Sequence, residues 1–183
     1  MNYLITAAGL GSRFLKENIK PPKPLIKVKG MELLLWSLKS FDFKPKDNLY
    51  IVTLKRDKVK EILLKKVNLI YPQINIYWLE LEKHLNGQLL TSLDTISFFK
   101  IKGKILIHNC DTSYKLQCEN LKDLLSKDIF GFIPYFNSKG KNWSFVKIEN
   151  DLIVRAYDLL SKNHKIPSID VHLHKNIPIG SGL

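Results

Sequence analysis

Hydrophobic positions along the chain fall into short runs that switch between two periods. Residues 2–7 (NYLITA) form an apolar run with β-branched content, which predicts a buried strand. Residues 26–30 read as a short extended piece ending in a turn. Over residues 31–41 the period changes. Leu34, Leu35, Leu38 and Phe41 recur at helical spacing and predict a helix packed on the core. Pro45 and Asp47-Asn48 close that unit. Residues 49–53 (LYIVT) predict a second buried strand. Residues 57–67 predict a helix with Val59, Ile62, Leu63 and Val67 on one apolar face, and Tyr71-Pro72 breaks it. Residues 74–79 (INIYWL) predict a third strand. Asn86-Gly87 opens a helix that runs to Phe99. Gly103 turns the chain into a fourth strand, residues 104–108 (KILIH).

Beyond this point the pattern predicts a short helix over 121–125 and a fifth strand over 129–135. Residues 144–148 and 152–157 flank Asn150-Asp151, a good two-residue hairpin turn. After Tyr157 the chain is more polar and predicts no element. Strands and helices alternate at βα spacing. This argues for an α/β protein with a mostly parallel central sheet flanked by helices, a small β-hairpin insertion, and ligands at the carboxyl ends of the strands. The 183 residues suit a single domain with a sizeable core. No internal repeat, low-complexity tract or flexible linker interrupts them.

Composition narrows the class. Hydrophobic residues make up 45% and charged residues 25%, as in soluble globular proteins. No run approaches the ~18 apolar residues that span a bilayer, and no basic segment precedes the first apolar run, so neither a membrane span nor a signal peptide is expected. Cys110 and Cys118 have no metal or disulfide spacing. They read as inert thiols in a reducing, cytoplasmic setting. The net charge is +12, but only three of the 29 basic side chains are arginines (Arg13, Arg56 and Arg155). Base-edge and bidentate phosphate readout favours Arg, and the lysines are scattered. Most are therefore solvated surface, and a minority attract an anionic substrate. A nucleic-acid partner is not expected. The sequence carries no signal for an oligomeric state.

Candidate chemistry concentrates where the first strand ends. It runs into Ala8-Gly9-Leu10-Gly11-Ser12-Arg13-Phe14, followed after a charged spacer by Pro21-Pro22-Lys23-Pro24-Leu25. Glycines there accept positive φ and have no Cβ to block a phosphate. Arg13 and Lys23 can neutralise a polyphosphate at the same spot. The dinucleotide fingerprint fails because Phe14 stands at the third glycine position, and the P-loop pattern is absent. Asn109-Cys110-Asp111-Thr112 follows the fourth strand directly. An acid there lies in the ligand crevice of an open α/β sheet and suits Mg²⁺, which takes one or two carboxylates plus phosphate oxygens and water. A turn-forming Asp fits the position equally well. Gly87 and Gln88 stand at the mouth of a helix, where Gln88 offers both a donor and an acceptor. His172 and His174 would share one face of a strand but have no third ligand. No nucleophile–base pairing has supporting context.

These segments, A-A-G-x-G-S-R-F, then P-K-P-L, then Ile105-Leu106-Ile107-His108-Asn109-Cys110-Asp111, resemble the nucleotidyltransferases that join an NTP to a small phosphorylated acceptor. That family includes the sugar-1-phosphate nucleotidyltransferases and the bacterial phosphocholine cytidylyltransferases. The resemblance is specific at residues 4–14, 21–25 and 105–111. It implies the family's Rossmann-like nucleotidyltransferase fold over residues 1–183. It also implies a Mg²⁺-dependent enzyme. Ala7, Ala8, Gly9, Gly11, Ser12, Arg13, Lys23, Gly87, Gln88 and Asn109 would bind the nucleotide. Arg13, Lys23 and Asp111 would act in catalysis, with Asp111 holding the metal.

Two departures shape the expected substrate. Sugar-specific members carry a Glu-Lys pair after the hairpin, where this chain reads Ala156-Tyr157-Asp158-Leu159-Leu160-Ser161-Lys162. Ser113 leaves no D-x-D, against a metal-dependent glycosyltransferase. The expected reaction is transfer of CMP from CTP to a small phosphorylated acceptor, L-glutamine phosphate foremost, giving CDP-L-glutamine and pyrophosphate in capsule or surface-polysaccharide biosynthesis. The alternatives are a sugar 1-phosphate or phosphocholine acceptor, or a catalytically weak nucleotide-binding domain. Residues 177–183 resemble the entry to a further family strand, so a chain shortened at its C-terminus is expected.

Overall fold

A computed structural model of the chain describes residues 1–113, 144–149 and 152–158. Its first strand, β1 (Asn2–Ala7), lies inside a four-stranded sheet. On one side it pairs in parallel with β4 (Asn48–Leu54), which pairs in parallel with β5 (Asn75–Leu81). On the other side it pairs in parallel with β6 (Ile105–Asn109). Asparagines at the first positions of β1, β4 and β5 fix the register. Asn75 Nδ2 donates to Asn48 Oδ1, and Asn48 Nδ2 donates to Asn2 Oδ1, each at 3.0 Å. A one-residue slip would break this ladder and turn every side chain to the other face.

Alternation along the strands feeds two cores. Ile5, Ala7, Leu49 and Ile51 face α2 (Leu33–Leu38) and α3 (Val59–Ile70) through Leu34, Leu35, Leu38, Val59, Leu63 and Val67. Leu4, Ala8, Tyr50, Val52 and Leu79 face the opposite way, toward Phe99 at the end of α4 (Gln88–Phe99). Each fully buried Leu or Val contributes about 1.5–3 kcal/mol relative to exposure. Helix α4 meets the sheet through small hydroxyl residues. Thr91, Ser92 and Thr95 are buried and donate to the carbonyls of Gly87, Gln88 and Thr91, so no hydroxyl is left unsatisfied.

Several expected boundaries shift. Residues 31–32 are not helical. They form β3 (Met31–Glu32), an antiparallel ribbon with β2 (Lys27–Val28). Lys29 and Gly30 both have positive φ, the backbone of a two-residue hairpin turn, so the helix starts only at Leu33 and Phe41 packs on the core from beyond its end. Residues 55–57 form a 3-10 turn, and Lys58 in a left-handed conformation delays α3 to Val59. The helix then runs to Ile70, ahead of Tyr71-Pro72. Ile62 is not on the buried face of that helix: it is 56% exposed, whereas Leu63 is 1% exposed.

By contact the chain divides into two compact units, Met1–Lys115 and Leu116–Leu183. In the second, β7 (Ser144–Glu149) and β8 (Leu152–Asp158) form the expected antiparallel hairpin, with a register shift between Lys147 and Ile148. The helix expected over 121–125 and the strand over 129–135 lie outside the described residues, as do Cys118, Lys162, His164, His172 and His174. Among the described residues no helix is long and apolar enough to cross a membrane.

Candidate active site

The strand order β5-β4-β1-β6 contains a reversal. From β1 the chain moves outward to β4 and β5, then returns through α4 to place β6 on the other side of β1. Such a switch point opens a crevice at the carboxyl ends of the two diverging strands. Those ends are Ala7 and Asn109. The glycine segment 8–11 leaves one, and Cys110-Asp111 leaves the other.

Ala7 and Ala8 bury their methyl groups in the two cores, so they can meet a ligand only through backbone atoms. Gly9 is exposed, and a Cβ there would meet no protein atom within 4 Å. Gly11 is different. Its φ of +64° is left-handed, and it caps the short helix α1 (Ser12–Lys16), which carries exposed Ser12 and Arg13. A Cβ on Gly11 would also lie 3.3 Å from the Cβ of Lys23. Lys23 begins a 3-10 turn, Lys23–Leu25, entered from Pro22 at φ −51°, with Pro24 buried behind it. Proline fixes φ and so stiffens the backbone that carries the lysine.

Lys23 Nζ stands 2.8 Å from Asp111 Oδ2, with side-chain exposures of 25% and 32%. The two loops after β1 and the loop after β6 therefore converge on one spot. The buried Cys110 thiol beside them is pushed up to about 12 by desolvation, so it stays protonated and inert, as its sequence context suggested.

Three positioning residues were not among the expected site residues. Thr6 Oγ1 donates to the His108 carbonyl at 3.2 Å and accepts from Gln88 Nε2 at 3.0 Å, which ties the start of α4 to the crevice. Ser37 Oγ donates to the Asn109 carbonyl at 2.7 Å and holds the end of β6 against α2. His108 is buried edge-on to Phe41, with Nε2 2.9 Å from the Thr112 carbonyl across the turn that bears Asp111. Burial lowers the His108 pKa, and its bond to Thr112 and the charge of Asp111 oppose that shift. Gly87 adopts φ +100° at the mouth of α4. Asn109 is exposed and pairs in register with Thr6.

Among the described residues no cluster of three or more His, Cys, Asp or Glu gathers for a metal. Asp111 alone, beside Lys23 and near a glycine loop, does not form a protein-only cage. It does fit Mg²⁺ that arrives with phosphate oxygens completing its ligands.

No family model matches the chain. A curated relative, a 4-diphosphocytidyl-2-C-methyl-D-erythritol kinase from Azobacteroides pseudotrichonymphae genomovar. CFP2, is 54% identical over 37 residues, 20% of this chain and 14% of its own length. Among solved structures, the chain is similar to a nucleoside-diphosphate-sugar pyrophosphorylase from Vibrio cholerae RC9 (TM-score 0.64, 19% identity, 94% of this chain and 70% of that one). It is also similar to an inositol-1-phosphate CTP transferase from T. maritima (TM-score 0.62, 16% identity, 92% and 66%). At these identities the likeness is one of architecture: the chain has the Rossmann-like fold of the nucleotidyltransferases, a mostly parallel sheet flanked by helices, with a small antiparallel hairpin.

Proposed function

We propose that the protein is a nucleotidyltransferase that moves CMP from CTP to a small phosphorylated acceptor, L-glutamine phosphate first among the candidates. The observation that carries this reading is the meeting of Lys23 and Asp111 beside Gly11 at the switch point. Lys23 and Arg13 neutralise the triphosphate. The backbone of residues 7–11 approaches its phosphates without a Cβ in the way at Gly9 and Gly11. Gly87, Gln88 and Asn109 bound the nucleoside side of the crevice. An acceptor phosphate oxygen attacks the α-phosphorus in line, a new P–O bond forms, and the bond to pyrophosphate breaks. No covalent enzyme intermediate is needed, so positioning and charge neutralisation do the catalysis. Asp111 would hold Mg²⁺, which would supply positive charge to the phosphate oxygens.

Cytidine is supported by the name of the T. maritima neighbour, a CTP transferase, and by that of the curated relative, whose substrate name carries a diphosphocytidyl group. The names of the two structural neighbours carry a nucleoside-diphosphate-sugar and an inositol 1-phosphate, which keeps a sugar 1-phosphate acceptor as the second reading. CTP as donor implies a cytoplasmic enzyme. Pyrophosphate release from each of the four NTPs with Mg²⁺, against L-glutamine phosphate, phosphocholine and sugar 1-phosphates, tests the proposal. Release with CTP and one acceptor names the reaction. Silence with CTP still binding by calorimetry leaves a nucleotide-binding domain, and silence without binding rejects the nucleotidyltransferase reading.

A further inference from the structure

We infer that the Lys23–Asp111 ion pair is a placeholder: in the free protein the lysine ammonium holds the carboxylate that the divalent cation needs, and nucleotide phosphates draw it away. The inference rests on the nucleotidyltransferase reading and adds an order of binding to it. Lys23 Nζ lies on Asp111 Oδ2 at 2.8 Å, and both side chains are at least two-thirds buried. An ammonium held this close to the carboxylate offsets its negative charge and repels a dication that approaches either oxygen in a partly desolvated site, so Lys23 weakens the hold of Asp111 on a divalent cation. The backbone around Lys23, stiffened by Pro22 and Pro24 and closely approached by Gly11, aims its side chain at the crevice.

A triphosphate entering the crevice offers Lys23 a second anionic partner. As Lys23 swings to it, Asp111 is freed just as phosphate oxygens arrive to complete a cation's ligand set. Metal and nucleotide binding are then coupled, each raising the affinity for the other. Two features weaken metal binding in the free protein: the described residues gather no further ligands around Asp111, and Lys23 already pairs with it.

The test is Mn²⁺ binding to the full chain without nucleotide, read from the paramagnetic resonance of free Mn²⁺. Lys23→Met is expected to bind Mn²⁺ about five-fold or more tightly than wild type, the lower end of the range for coupled sites. Lys23→Ala is the second variant and should behave alike. Lys23→Arg keeps the charge and should stay near wild type. The gain must vanish in the Lys23→Met/Asp111→Asn double variant, which separates local exchange from a general loss of positive charge. Equal affinity in wild type and both neutral variants, with Mn²⁺ binding still lost on Asp111→Asn, overturns the exchange and leaves the site reading intact. Mn²⁺ binding indifferent to Asp111→Asn overturns the metal assignment and the exchange together.

Discussion

Gly11 shows how one residue can carry two requirements. Its left-handed φ strains any side chain placed there, and a Cβ would crowd the Cβ of Lys23 at 3.3 Å. Gly11→Ala should destabilise the protein by about 1–2 kcal/mol in urea titration and raise KM for the nucleotide by displacing Lys23. Lys23→Ala should cost roughly 10²–10³ in rate, by analogy with loss of one preorganised donor at a developing charge. Steady-state pyrophosphate release measures both. His108 acts through pH. Burial holds its folded pKa below the usual value of 6.5, so the unfolded chain binds the extra proton first. The histidine's contribution is therefore complete above that value and is lost as pH falls through the folded pKa. Thermal melts between about pH 7.5 and 5.5 should show wild type losing stability, with His108→Gln flatter over the same window.

At the scale of elements, periodicity names a helix but not always its buried stripe. Val59, Leu63 and Val67 form the inner face of α3, and Ile62 points outward. Leu63→Ala should cost about 2–5 kcal/mol, and Ile62→Ala should stay within roughly 0.5 kcal/mol. Equal losses in chemical denaturation would show that Ile62 is covered in solution. Helix α4 departs further from the usual pattern. Its buried face is Thr91, Ser92 and Thr95, and Leu89, Leu90 and Leu93 are about half exposed. Small residues with self-satisfied hydroxyls let the helix lie close to β1, which brings Gln88 within reach of Thr6.

For the whole molecule, the net charge is +12 and the proposed substrate is a polyanion. Charge of that size raises local substrate concentration over a Debye length of about 8 Å in physiological salt. Raising ionic strength should lower kcat/KM for the nucleotide several-fold while kcat stays nearly constant, because steering acts on encounter and not on the bound complex. A kcat that fell in parallel would place the salt effect on the Lys23–Asp111 region itself.

Local sequence determined the strands, the order of elements and the glycine and proline punctuation. Apolar runs of β-branched residues, helical spacing, and the residue types that tolerate positive φ are properties of neighbouring positions, and β1, β4, β5, β6 and the hairpin follow from them. Gly11, Lys23 and Asp111 were legible as candidates for the same reason: each sits where a strand or a proline-stiffened turn ends. The boundary at Leu33 was missed because Lys29 gives no sign of adopting positive φ until β2 and β3 pair. The outward turn of Ile62 was missed because a helix of period 3.6 has neighbours on both edges of its stripe. Tertiary structure alone decided what meets what. The reversal of strand order put the ends of β1 and β6 side by side, and that reversal, a matter of long-range packing, set Asp111 against a lysine 88 positions earlier in the chain. Thr6, Ser37 and His108 became positioning residues only then, since hydroxyls and a buried imidazole gain a role from the carbonyls that the fold brings within hydrogen-bonding distance.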